Sequence, residues 1–148
     1  PNPMPESVKD RCTKSHEYIF LLSKNAHYYF DQESIKVESS QSTENGKSNK
    51  RSVWTVTTKP YSEAHFATYP HDLIIPCIKA GCPENGTVLD PFGGSGTTAQ
   101  VAAQLNRNAI LCELNPEYIK IANQRLLDSL GMFLDLKITK PQTTENIK

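Results

Sequence analysis

Net charge is absent from this sequence: 16 Lys and Arg are balanced by 16 Asp and Glu, so composition makes no general case for a polyanion partner. No apolar run approaches the roughly 20 residues needed to cross a bilayer. The Pro-rich, polar start also lacks the apolar segment of a secretory signal, which predicts a cytoplasmic chain with no membrane partner. The four cysteines, Cys12, Cys77, Cys82 and Cys112, show neither C-x-x-C spacing nor companion histidines at zinc-finger intervals. No metal site is expected, and the thiols read as small, reduced side chains. What is present, 148 residues with 37% hydrophobic side chains, suffices to bury the core of one domain. The first residue is Pro1 and the first methionine Met4, which reads as a trimmed product or a piece of a longer chain.

One stretch carries chemistry. Residues 88–98, V-L-D-P-F-G-G-S-G-T-T, place an apolar run, a carboxylate and a glycine-rich turn with hydroxyls ahead of a predicted helix, and residues 110–113, I-L-C-E, end a second apolar run on a carboxylate. That order describes the first βαβ unit of a nucleotide-binding fold. Gly93, Gly94 and Gly96 permit a backbone path that other residues resist, and they let a ligand lie against bare amides at a helix N-terminus. Residues 94–99 also fit G-x-G-x-x-[GA], with Glu113 about 20 residues further on, so an NAD-dependent oxidoreductase is an alternative. Asp90 weighs against it. A carboxylate between strand and turn would repel a pyrophosphate, whereas S-adenosylmethionine carries no phosphate and offers an ammonium and a sulfonium. Its own carboxylate can use the helix N-terminus that Thr97 or Thr98 opens. Glu113 can accept both ribose hydroxyls, and Phe92 can lie against the cofactor's apolar parts.

D-P-F-G-G-S-G-T-T resembles the cofactor motif of the DNA amino-methyltransferases, which methylate the exocyclic nitrogen of adenine (N6) or cytosine (N4), and C-E-L-N-P-E-Y-I-K-I-A is similar to the next strand end and helix start in that family. The resemblance implies an α/β fold with the Rossmann-like sheet of S-adenosylmethionine-dependent methyltransferases. That sheet is incomplete in this chain, where about four strands can be counted. It also implies double-stranded DNA as partner and a bacterial restriction-modification or phage setting. The cofactor-binding set it points to is His65, Phe66 and Ala67 from H-F-A-T-Y-P, then Asp90, Phe92, Gly93, Gly94, Ser95, Gly96, Thr97 and Thr98, and finally Glu113 with Leu114.

N-P-M-P-E-S followed by D-R-C-T-K-S-H-E-Y-I-F lies in the family beside the target-base pocket, which makes Arg11, Lys14 and His16 candidates for a DNA-facing edge. For His16 a hydrogen bond that pins the strand entrance is the other reading. Lys47, Lys50 and Arg51 occur with Lys59 and no acid among them, a basic loop suited to phosphates or simply solvated. The chain divides accordingly: 1–36 on the target-base side, 37–52 a polar loop in the place of a target-recognition insertion, 53–130 the cofactor-binding portion, and 131–148 a polar tail that frays. Expected elements are a buried strand over 16–22, a strand over 53–57, a helix over 72–80, a strand over 87–90, a helix from 97 or 98, a strand over 109–112 and a helix from 116. Tyr28 and Tyr29 are read as core before base stackers.

Methylating an exocyclic amine requires its lone pair to face the methyl donor. In the family a [DNS]-P-P-[YFW] tetrapeptide does this, and the sequence contains none. Asn115-Pro116-Glu117-Tyr118 is a decoy, with Glu in place of the second proline. No catalytic residue is assigned. The missing half is expected in a preceding segment, joined covalently or as a partner chain; otherwise the chain is a cofactor-binding fragment without turnover.

Overall fold

A computed structural model describes residues 6–39, 46–57, 69–131, 135–137 and 139. A 3-10 turn at Glu33–Ile35 leads into strands β1 (Val37–Glu38) and β2 (Lys47–Ser48), helix α1 (His71–Gly81), strand β3 (Thr87–Asp90), helix α2 (Thr97–Gln104), strand β4 (Asn108–Leu111) and helix α3 (Pro116–Leu130). β1 and β2 pair antiparallel. β3 and β4 pair parallel, Thr87 opposite Asn108 and Asp90 opposite Leu111, and α2 is the crossover that parallel pairing requires. No described helix is long and apolar enough to cross a membrane.

Alternation along β3 and β4 decides where the core lies. Val88 and Ala109 face the helices and, with Ile74, Ile75 and Leu105, pack around Ile78, Val101 and Ala102. Val101 and Ala102 are fully buried, because the small side chains of α2 let it lie close on the strands. Burying one side chain of the size of Ile78 stabilises by about 1.5–3 kcal/mol. Leu89 and Ile110, neighbours in register, face the opposite way and remain 63% and 56% exposed. Parallel strands are ordinarily covered on both faces, so an apolar face is open here.

Both strands start from one clasp. Asn85 and Asn106 adopt φ of 62° and 58°, a left-handed backbone that asparagine tolerates, and the Asn85 amide donates to the Asn106 carbonyl at 2.8 Å. The buried Arg107 guanidinium donates to the carbonyls of Cys82 and Leu105 and closes the clasp. α1 runs through Pro76, which has no amide to give and so omits one helical hydrogen bond; its buried ring is held by the apolar face around it.

Several expectations need correction. Residues 16–22 are extended, but they pair with no strand among the described residues, and Phe20 and Leu22 are 77% and 87% exposed. Their period of two still appears, since His16, Tyr18 and Phe20 line one side with ring centroids 5.2 and 6.0 Å apart. Tyr28, Tyr29 and Phe30 are exposed, not core. Residues 53–57 form no ladder among the described residues, and the Trp54 indole donates to the Arg51 carbonyl within its own segment. In the polar stretch 37–50 the ends pair as β1 and β2, closed by the Ser39 amide on the Gly46 carbonyl at 2.9 Å. Most of the expected tail lies outside the described residues.

Candidate functional site

The carboxyl ends of β3 and β4 open side by side, the place where open α/β sheets take ligands. β3 delivers Asp90 and β4 delivers Glu113, and between them the chain turns through residues 91–96 into α2. Both carboxylates hold this turn. Asp90 accepts from the Phe92 amide at 2.9 Å through one oxygen, and from the hydroxyls of Thr98 and Tyr69 through the other. Glu113 accepts from the Gly94 amide and from the Asn115 amide, each at 2.8 Å. Each carboxylate has about four acceptor positions, so capacity remains for a ligand's donors.

Two further amides of the turn are used as well. Gly93 donates to the Cys112 carbonyl at 2.8 Å and Gly96 to the Gly93 carbonyl at 2.9 Å. Thus the amides of Phe92, Gly93, Gly94 and Gly96, the groups with which a glycine turn would cradle phosphate, already donate within the protein. Geometry requires the glycines of the turn, Gly94 by its φ of 50° and the other two by close approach. A Cβ on Gly93 would meet the Leu111 Cβ at 2.8 Å, and Gly96, at φ 80°, would bring one to 3.0 Å from the Ala122 Cβ.

Sequence reasoning missed two members of this arrangement. Arg125 reaches from α3 to the turn, donating to the Ser95 carbonyl and hydroxyl at 3.2 and 3.0 Å and to the Thr97 hydroxyl at 2.9 Å, with His71 Nε2 at 3.3 Å. Its contacts span 28 to 30 residues of sequence, and no local pattern signals them. Tyr69, the residue before Pro70, donates to Asp90 with its hydroxyl set against that of Thr98. Burial holds its phenol above the ordinary tyrosine range, and the Asp90 charge acts in the same direction.

The apolar lips are Phe92 and Leu114, 86% and 100% exposed. Of the sequence-derived cofactor set, Asp90, Phe92, Gly93, Gly94, Ser95, Gly96, Thr97, Thr98, Glu113 and Leu114 gather here; His65, Phe66 and Ala67 lie outside the described residues. Asn115 caps α3, its side chain accepting from the Glu117 amide at 3.0 Å with Pro116 in the first turn, a helix start that leaves no tetrapeptide aimed at a substrate.

The residues read as DNA-facing form separate groups. Arg11 is held by Glu6 through two hydrogen bonds at 2.9 and 3.1 Å, and the Lys14 amide donates to the same carboxylate at 2.7 Å. Those contacts, the Arg11 hydrogen bond foremost, hold the Glu6 carboxyl below its usual range. The Lys14 ammonium lies 5.8 Å from the Tyr18 ring centroid, and His16 Nε2 is 3.3 Å from the Tyr18 hydroxyl. Lys47 stands on β2, and Lys50 and Arg51 follow it beside Trp54.

Comparison with known proteins agrees with this geometry. A family model described as DNA methylase matches residues 1–124. Type II methyltransferase M.Cfr9I of Citrobacter freundii is 52% identical over 126 residues, 85% of this chain and 41% of that protein. Type II methyltransferase M.SmaI of Serratia marcescens is 50% identical over 127 residues, 86% of this chain and 43% of that protein. The chain therefore spans about two-fifths of the length of these relatives. Among solved structures, the M1.HpyAVI–SAM complex superimposes with a TM-score of 0.51 at 29% identity, over 70% of this chain and 45% of that one.

Proposed function

The chain belongs to the N6/N4 DNA methylase family, and from that premise we propose that it is the cofactor-holding portion of a DNA methyltransferase that uses S-adenosylmethionine. The observation that carries this reading is the engagement of the glycine turn's amides by protein acceptors, two of them the Asp90 and Glu113 carboxylates. Such a turn presents anionic oxygens where a dinucleotide site would present amides. That suits a cationic ligand without phosphate and opposes a nicotinamide coenzyme. The donor set fits: Glu113 keeps acceptor capacity for ribose hydroxyls, Asp90 supplies negative charge, and exposed Phe92 and Leu114 offer apolar surface. When bound, the cofactor would supply an electrophilic methyl. Arg125, Thr97 and Thr98 keep the turn in position, and Tyr69 fixes the Asp90 carboxylate.

The substrate in this reading is the exocyclic amine of adenine or cytosine in duplex DNA, inside a bacterial or phage-infected cell. Residues 1–36 would lie toward the target base, with Arg11, Lys14 and His16 at the edge, and Lys47, Lys50 and Arg51 in the recognition stretch. Because the sequence contains no [DNS]-P-P-[YFW] run, the groups that grip the amine come from a complementary segment or partner chain. The open Leu89 and Ile110 face supports that reading, as do the exposed residues 18–22, which pair with no strand among the described residues; both need cover. Calorimetry tests it: adenosylhomocysteine and sinefungin bind and NADH does not, while this chain alone transfers no methyl group to duplex DNA. Binding of NADH without binding of adenosylhomocysteine by the folded chain would overturn it.

A further inference from the structure

A groove of about 470 Å3 lies between the segment after β2 and the first turn of α1, apart from the glycine turn. Val37, Val53 and Val56 make its apolar walls, while Lys50, Arg51 and Asp72 bring two cations against one carboxylate. Trp54, the single tryptophan of the chain, is its aromatic surface. The Lys50 ammonium sits 4.8 Å from the Trp54 ring centroid, and the indole N–H donates to the Arg51 carbonyl at 2.6 Å. Together these contacts fix the plane of the ring and use its only polar group. A rigid apolar ring is thereby set beside two cationic side chains.

We propose that this groove holds the backbone of duplex DNA, a deoxyribose against the Trp54 ring and the adjoining phosphates at Lys50 and Arg51. The proposal rests on the DNA-methyltransferase reading and deepens it by naming the surface that grips the substrate. Flat apolar surface flanked by cations matches the alternation of sugar and phosphate along a strand. An ammonium has three donors, so the one stacked on the ring can still donate to a phosphate. The chain's zero net charge makes such a local concentration the means by which a polyanion would be held.

The test uses the full chain, a fluorescein-labelled duplex of mixed sequence, and Trp54 emission as a second readout. Binding should quench Trp54. Lys50→Ala should weaken binding and lower the slope of log affinity against log salt by about one, as removal of one phosphate contact does. Trp54→Ala, which removes the apolar surface a sugar would cover, should weaken it about tenfold, while Trp54→Phe, which keeps a ring, restores it. Circular dichroism confirms folding, and the exposed Arg51→Ala gives the same answer if a Trp54 variant fails to fold. Duplex binding with Trp54 emission unchanged and affinity unaffected by these substitutions overturns the groove and leaves the methyltransferase reading standing. Adenosylhomocysteine binding with no duplex binding at all overturns both the groove and the DNA substrate.

Discussion

Substitution of Gly96 by alanine tests how the glycine turn is held against α3. At φ 80° and ψ 17° this residue is in the left-handed region, where an L side chain costs about 1–2 kcal/mol. The added Cβ would also lie 3.0 Å from the Ala122 Cβ and 3.4 Å from its Cα, inside the roughly 3.5–4.0 Å at which carbon atoms rest comfortably. Overpacking of a buried site adds about 1 kcal/mol or more, and the stiffer unfolded chain returns about 0.4–1 kcal/mol. The net loss is about 2 kcal/mol, a melting temperature lower by roughly 4–8 °C for a chain of this size. Urea unfolding followed by circular dichroism measures it. The steric part is separable, because Ala122→Gly removes the atom that Gly96→Ala would strike. In that background Gly96→Ala should cost about 1 kcal/mol less, a coupling larger than the ~0.3–0.5 kcal/mol within which independent sites add. Strict additivity, or a Gly96→Ala protein as stable as the parent, would show that α3 does not press on the turn.

Tyr69 gives a pH prediction. Burial holds its phenol above the ordinary value, so the folded chain keeps a proton that the unfolded chain releases near pH ~10. The associated stability is complete below that pH and is lost as pH rises through the folded value; Tyr69→Phe should flatten the alkaline fall in melting temperature, and an unchanged fall refutes the assignment. Among the cysteines, exposed Cys12 and Cys112 should react with a thiol reagent first, while buried Cys82 and half-buried Cys77, whose thiol burial pushes up, wait for denaturant. Four equal rates would contradict the burial described. Arg125→Met removes the donors that reach Ser95 and Thr97, and adenosylhomocysteine affinity should drop about tenfold, the effect of losing one charged hydrogen bond; unchanged affinity would mean the turn holds its shape without α3.

Sequence pattern led directly to the βαβ unit because every signal there is local. Strand 87–90 matches its expected bounds, α1 and β4 lie within one residue of theirs, and α3 begins at the expected Pro116 behind an Asn cap. Residues 16–22 and 53–57 show the limit of the same method. Alternation states that a segment is able to pair, but pairing is a property of two segments, and neither finds a partner among the described residues. Trp54 instead satisfies itself three residues back, and Tyr18 stacks two residues on. Tyr69 and Arg125 were illegible for another reason: each acts over a long stretch of sequence, bonding Thr98 and Ser95 respectively, and no spacing rule anticipates that.

The two site carboxylates also change what the glycine pattern means. Read as letters, 94–99 satisfies a dinucleotide fingerprint as well as a methyl-donor motif. Read as hydrogen bonds, it does not, because a dinucleotide site must keep its turn amides for the pyrophosphate, and here Glu113 and Asp90 take those of Gly94 and Phe92. A phosphate placed at the amides of Phe92 or Gly94 would have to displace a carboxylate and then lie beside that displaced charge, a double cost in a half-buried site. A cationic ligand meets neither penalty, since it approaches oxygens already held in place by the turn. In the reading proposed above, the same amides that shape the turn also select the sign of the ligand, and the two properties cannot be altered independently: removing either carboxylate should loosen the turn and discard the preference together.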